Sequence, residues 1–193
     1  MIAGCGEERG ETMGYPRRVV IVRHAEADPR EEGDVDYSRP LTARGYKQAE
    51  ITGSWLRGRF GNFNARYASY YLRAQETMRI MFPGVESCED SRLVEISHGI
   101  SHETLPNDEL PIHSFLEKLY REHVGEDILI IGHGRWIILF QRIMDGYSID
   151  RAIERDQNHD VENASALIYE RRRVQGEYRL VCLGSVIPWA GKI

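Results

Sequence analysis

Residues 19–27 read VVIVRHAEA: four β-branched residues, Val19 to Val22, that end on Arg23 and His24. A run this apolar fits a strand buried on both faces of a parallel sheet, and in open α/β sheets ligands bind in the crevice at the carboxyl ends of the strands. A second run of the same kind, Ile128–Gly134 (ILIIGHG), delivers His133 in the same way. The two imidazoles are therefore expected to meet at one end of one sheet.

Outward from these runs the chain alternates. A polar loop, 28–40, leads to a helix opening near Thr42, with Ala49, Leu56 and Phe60 as its apolar contacts. Tyr67–Met81 (YASYYLRAQETMRIM) opens like a strand and continues with a helical pattern, which puts Ser69 at another strand end and Arg73 near a helix start. A short strand is expected at Val85–Cys88, an amphipathic helix at Pro111–His123, a helix at Trp136–Met144, and a closing hairpin of strands near Ala164–Glu170 and Tyr178–Leu183. Strands alternating with helices predict a three-layer α/β/α sandwich, its sheet mainly parallel with an antiparallel edge strand.

The strand ends collect chemistry. Leu93–Gly99 (LVEISHG) adds Glu95 to the two histidines and to Arg23 and Arg73. Guanidinium forks bind phosphate oxygens bidentately, an imidazole can take a phosphoryl group covalently, and a carboxyl can move the proton. Read singly, each residue has a plainer role: His24 a polar residue at a strand end, His133 a turn histidine, Glu95 a surface carboxylate.

The order RHA, LTxRGxxQA (Leu41, Thr42, Arg44, Gly45, Gln48, Ala49), SxxxRAxET (Ser69, Arg73, Ala74, Glu76, Thr77), LVEISHG, GHG and NAS (Asn163, Ala164, Ser165) resembles the histidine phosphatase superfamily, also called phosphoglycerate mutase-like. The resemblance runs from Arg18 to the end. It implies a phosphoglycerate mutase-like fold, with residues 16–193 as one catalytic domain after an extension at 1–15. It also implies a metal-independent phosphatase of the short-lid branch, acting on phosphomonoesters or protein phosphohistidine without a cofactor. His24 would carry the phosphoryl group, Arg23, Arg73 and His133 would bind its oxygens, and Glu95 would serve as acid and base. His98 and His102, on the Glu95 loop, are alternative donors to the leaving group.

Departures from the family pattern bear on substrate. Ala25 stands for the usual glycine after the histidine, Ala27 at a hydroxyl position, and Arg30 where mutase-like members carry asparagine. Arg135 replaces a small residue after GHG, and reads equally as a substrate ligand or as the partner of a surface carboxylate. Between Glu95 and His133 the sequence offers only a loop, 97–110, and one helix. A mutase must retain its intermediate and exclude water, so a short lid favours hydrolysis, a shallow pocket and access for bulky substrates such as a phosphorylated protein side chain. A phosphoglycerate mutase-type phosphotransferase and a non-catalytic phosphate-binding module are the alternatives.

Composition is compatible with this reading. A chain of 193 residues can bury roughly 70% of its unfolded surface without staples. A net charge of −5 with interspersed signs gives no basic face for nucleic acid, and Arg171–Arg173 reads as the solvated tip of the hairpin. Cys5, Cys88 and Cys182 are odd in number and widely spaced, as expected for free thiols in a reducing cytoplasm, with no bound metal. The string IAGC at 2–5 lacks the charged and apolar stretches of a leader, and GCGEERG lacks the glycine spacing of a dinucleotide fingerprint. The longest mostly apolar segment, 128–140, is interrupted by His133 and Arg135 and too short to span a bilayer. The sequence carries no signal of oligomeric state.

Overall fold

A computed structural model describes residues 14–30 and 35–193. Val19 to Val22 do form a buried strand, β1 (Arg18–Arg23), and the ILIIG run forms β4 (Asp127–Gly132), buried along its whole length. They lie side by side and parallel, with Arg18 opposite Asp127 and Arg23 opposite Gly132. The first strand end and the second are thus adjacent, and both histidines follow directly.

Around this pair stand β2 (Ala65–Ala68), β3 (Cys88–Glu89), β5 (Ala166–Val174) and β6 (Glu177–Val186), in the sheet order β3-β2-β4-β1-β5-β6. The β3-β2-β4-β1 half is parallel; β5 runs antiparallel to β1, and β6 antiparallel to β5. Alternation on the strands creates two cores. Val20, Val22, Leu129 and Ile131 face α1 (Ala43–Phe60) and α2 (Leu72–Met81). Val19, Ile21, Ile128 and Ile130 face α3 (Leu105–Glu122), α4 (Gly134–Asp145) and α5 (Ile149–Gln157). The result is the expected three-layer sandwich.

Local chemistry sets the helix ends. Thr42 caps α1, its hydroxyl accepting from the Gly45 N–H at 2.9 Å. α3 starts six residues before the expected Pro111, because Pro106 already occupies the first turn and Pro111 is carried inside the helix. α5 has no counterpart in the sequence reading. Its nine residues, IDRAIERDQ, bury only Ala152 fully, so the apolar period is too thin to read.

The short strand expected at Val85–Cys88 is instead Cys88–Glu89, since only those two residues pair with the free edge of β2, at Tyr67 and Ala68. The hairpin turns at Gln175 and Gly176, both with positive φ, so the exposed Arg172 and Arg173 lie on β5 just before the turn. Gly14 and Tyr15, placed in the expected extension, are fastened to α3: the Gly14 N–H donates to the Tyr120 carbonyl at 3.1 Å, and the Tyr15 ring meets Tyr120 edge-on at 5.0 Å. The rest of that extension, 1–13, lies outside the described residues.

Candidate active site

The loop after β1 is clamped from several sides. The His24 N–H donates to the Gly132 carbonyl at 2.9 Å, the Ala25 N–H to the Thr77 hydroxyl at 3.0 Å, and the Glu26 N–H to the Gln48 side-chain Oε1 at 2.8 Å. Glu76 accepts from the Leu41 N–H at 2.8 Å, and Arg44 pairs with Glu26 at 2.8 Å. Gly45 is required because α1 passes so near the loop that a Cβ there would collide with the Glu26 carbonyl oxygen. The LTxRGxxQA and SxxxRAxET residues therefore hold one loop in one shape. The NAS segment closes the other side: the Asn163 amide donates to the His24 carbonyl at 3.0 Å, and buried Ala164, at φ +50°, donates its N–H to the Arg23 carbonyl at 3.0 Å. A non-glycine residue held in that region is strained, and here it sits against the site.

Within this frame the structure brings together Arg23, His24, Arg73, Glu95 and His133. The two imidazoles meet edge-to-face with centroids 5.1 Å apart, and Tyr71 packs on His133 at 4.9 Å. His24 Nδ1 lies 2.7 Å from the Ala25 carbonyl oxygen, an acceptor only, so Nδ1 carries the hydrogen and Nε2 carries the lone pair. Arg73, almost fully buried in the first turn of α2, donates Nε–H to that lone pair at 3.2 Å. Burial and the guanidiniums of Arg23 and Arg73 hold the His24 imidazole neutral to well below its ordinary range. Burial, His24 and the same arginines do so for His133.

Glu95 follows η2, a short 3-10 turn at Ser91–Leu93. Its carboxyl is pushed above the usual carboxylate range by burial, against the pull of Arg73, Arg23 and Arg135. One oxygen lies 3.6 Å from His133 Nδ1, too far for a hydrogen bond. Glu95 Oε1, Arg23 Nε and both ring nitrogens of His133 are buried with no partner. Orphaned polar atoms of this kind are rare; beside Arg66 Nε and Arg142 Nε elsewhere, these four gather on three residues of the site. They line or adjoin an open cavity of about 270 Å³ whose walls include Arg23, Arg30, Arg39, Arg73 and Arg135 against Glu26, Asp36 and Glu95.

That set favours an anion. The ligand atoms of His24, Glu95 and His133 lie within 4.8 Å of one another, so they have the spacing of a metal site. Two buried guanidiniums beside them oppose a second cation and complement an oxyanion. α4 also begins at His133, turning its positive end to the cavity.

The remaining sequence candidates fall at the margin. Arg135 lines the cavity, yet its Nε is held by Asp156 at 2.9 Å and its Nη1 by the Ile96 carbonyl at 3.0 Å, so it has the carboxylate partner of one reading while standing at the cavity wall. His98 and His102 are not brought in; they pair with Asp108 and Asp150 at 3.1 and 3.0 Å on the surface. Ser69 is buried and accepts from the Tyr71 N–H at 3.3 Å. Asp36 and Arg39 reach the cavity from the polar loop, where no periodic signal marks them, and Asn163 joins them through a motif quoted for order alone.

Residues 19–111 match the family described as the histidine phosphatase superfamily, branch 1. That match spans just under half of the chain. Over 70 residues it is 40% identical to the mitochondrial serine/threonine-protein phosphatase Pgam5 of Drosophila yakuba, a match to 36% of this chain and 24% of that protein. The chain thus spans about a quarter of the length of the curated relatives it matches. Among solved structures, Bacillus stearothermophilus YhfR superposes with a TM-score of 0.68 at 19% identity, covering 89% of this chain and 98% of that one. Phosphoserine phosphatase of Entamoeba histolytica, solved with 3-phosphoglyceric acid, gives 0.64 at 18% identity over 89% and 98%. At such identities the likeness is one of fold, the phosphoglycerate mutase-like fold.

Proposed function

We propose that the protein is a phosphatase that hydrolyses phosphomonoesters, or phosphohistidine on proteins, through a phosphohistidine at His24. The observation that carries this reading is the neutral imidazole whose Nε2 carries the lone pair, beside Arg73, at a cavity lined also by Arg23 and Glu95 with their unpartnered polar atoms. In the first half-reaction Nε2 attacks phosphorus in line, the P–O or P–N bond to the leaving group breaks, and Glu95 gives that group its proton. Arg23, Arg73 and His133 hold the equatorial oxygens, where charge spreads in a loose transition state. In the second, Glu95 takes a proton from water as it attacks the phosphohistidine, releasing phosphate and restoring His24. One carboxyl serves both steps because burial raises its pKa and makes its protonated form easier to reach. The positive charge comes from the guanidiniums, so the scheme calls on no metal.

Hydrolysis is favoured over mutase transfer by what stands between Glu95 and His133. That segment holds a loop and α3 as its only long helix, and the cavity stays open. A phosphorylated protein side chain fits such a mouth as readily as a small ester. Product analysis tests the reading: p-nitrophenyl phosphate and 3-phosphoglycerate, with and without bisphosphoglycerate, should yield free phosphate. Efficient conversion to 2-phosphoglycerate with little phosphate would overturn it, and orthophosphate binding without any turnover would leave a binding module.

A further inference from the structure

All three nitrogens of Arg73 are engaged in the arrangement described. Its Nε–H covers His24 Nε2, its Nη1 donates to the Asp36 carbonyl at 2.7 Å, and its Nη2 to the Asp36 carboxylate at 3.3 Å. Arg39 grips the same carboxylate at 2.8 Å and is anchored in turn to the Asp28 carbonyl at 2.7 Å. Asp36 therefore places an anion where the phosphoryl group must find its guanidinium. A ring nitrogen cannot accept from Arg73 and attack phosphorus with one lone pair. Before attack, Arg73 must turn its donors from His24 and Asp36 toward the phosphoryl oxygens.

We infer that Asp36 is an internal competitor of the phosphoryl group, a carboxylate that holds Arg73, and through it the His24 lone pair, in a resting arrangement until a dianion displaces it. This rests on the phosphatase reading of the same site. Two observations separate competition from mere positioning. A residue that only preorganised Arg73 would leave its outer N–H edge free for the ligand, whereas Asp36 occupies that edge. Arg23, by contrast, keeps its Nε unpartnered and gives Nη1 only to the neutral Val161 carbonyl, so the competing carboxylate bears on Arg73 rather than on Arg23. Release is cheap, because Asp36 stands on a surface 3-10 turn, η1 (Asp36–Ser38), with its side chain a quarter exposed and water within reach. The selectivity that follows favours doubly charged phosphoryl groups over single carboxylates, which cannot outbid a tethered one.

The test is calorimetric titration of orthophosphate into the wild type, Asp36→Asn and Asp36→Ala. Both variants should bind roughly fivefold to tenfold more tightly, the size of one partly solvated charge-assisted hydrogen bond removed from the competition. The KM for p-nitrophenyl phosphate should fall with it. Unchanged or weaker phosphate binding in both variants would overturn the inference and make Asp36 a support for Arg73. If the wild type turns over ester and that result is found, the competition fails while the phosphatase reading stands. If the variants bind phosphate more tightly and none turns over ester, the competition stands and the hydrolytic reading fails.

Discussion

The two ends of the β1–β4 strand pair treat buried polar groups in opposite ways. At the amino end, Asp127 is almost fully buried and fully answered: Arg17 donates twice, at 2.7 and 2.6 Å, and Arg18 once at 2.9 Å. At the carboxyl end, six residues along from Asp127, His133 is just as buried and neither ring nitrogen has a partner. A buried polar group without a hydrogen bond costs about 1–3 kcal/mol, and the same fold avoids that cost at one end and bears it several times over at the other. The difference marks which end holds the structure and which end waits for a ligand. Substitutions at the closed end should then act on stability, and at the open end on chemistry.

The largest effect is expected at His24. His24→Ala should bring turnover to background with little change in melting temperature, because the proposed scheme has no other acceptor for the phosphoryl group. Next comes Arg73. Arg73→Ala should raise the activation barrier by about 3–4 kcal/mol, as for loss of one preorganised oxyanion donor, while Arg135→Ala should do much less, since Asp156 and the Ile96 carbonyl already hold that guanidinium. Steady-state kinetics on one ester checks both; equal losses would place Arg135 against the phosphoryl group. At the closed end, Asp127→Asn should lower unfolding stability by about 1.5–3 kcal/mol in urea titrations and leave kcat unchanged. A fall in kcat with intact stability would erase the contrast between the ends.

How far this contrast could be read without coordinates depends on the residue. The four-residue β-branched run and ILIIG betrayed their strands because a strand buried on both faces needs an unbroken apolar string, and Arg23, His24 and His133 came with them. Arg73 and Glu95 were legible through motif order. Asp36 was not: it sits in a polar loop whose composition looks like solvent-exposed chain, and only the fold shows that the loop bends back over Arg73. α5 escaped for the reason that hid Asp36, too few apolar residues to set a period. The role of Gln48, Glu76 and Thr77 in holding the loop after β1 was also invisible, because their bonds go to backbone N–H groups far away in sequence.

The smallest predicted effect comes from Glu95. Its folded pKa is raised, so the stability it lends is present at low pH and lost as pH rises from the ordinary carboxylate range through the folded value. Glu95→Gln should therefore stabilise the protein near pH 7, by about 1 kcal/mol or some 2–4 °C in Tm. His24 and His133 act in the other direction. Their folded pKa values are depressed, so the wild type should lose stability as pH falls below about 6.5, where the unfolded imidazoles take up protons. In kinetics, Glu95→Gln should spare phosphorylation by aryl phosphates and abolish it with alkyl phosphates, whose oxygen must be protonated to leave. Equal losses on both substrates would remove the acid role from Glu95.

The central claim is that the open end presents one nitrogen, His24 Nε2, to phosphorus. Phosphorus-31 NMR of the Glu95→Gln protein after reaction with an aryl phosphate, followed at alkaline pH where phosphohistidine survives, reads this directly, because the two ring isomers resonate apart. The account predicts a single phosphoryl group on Nε2, absent in a second variant that also carries His24→Ala, since Nδ1 is committed to the Ala25 carbonyl. A phosphoryl group on Nδ1, on another residue, or still present without His24 would contradict it.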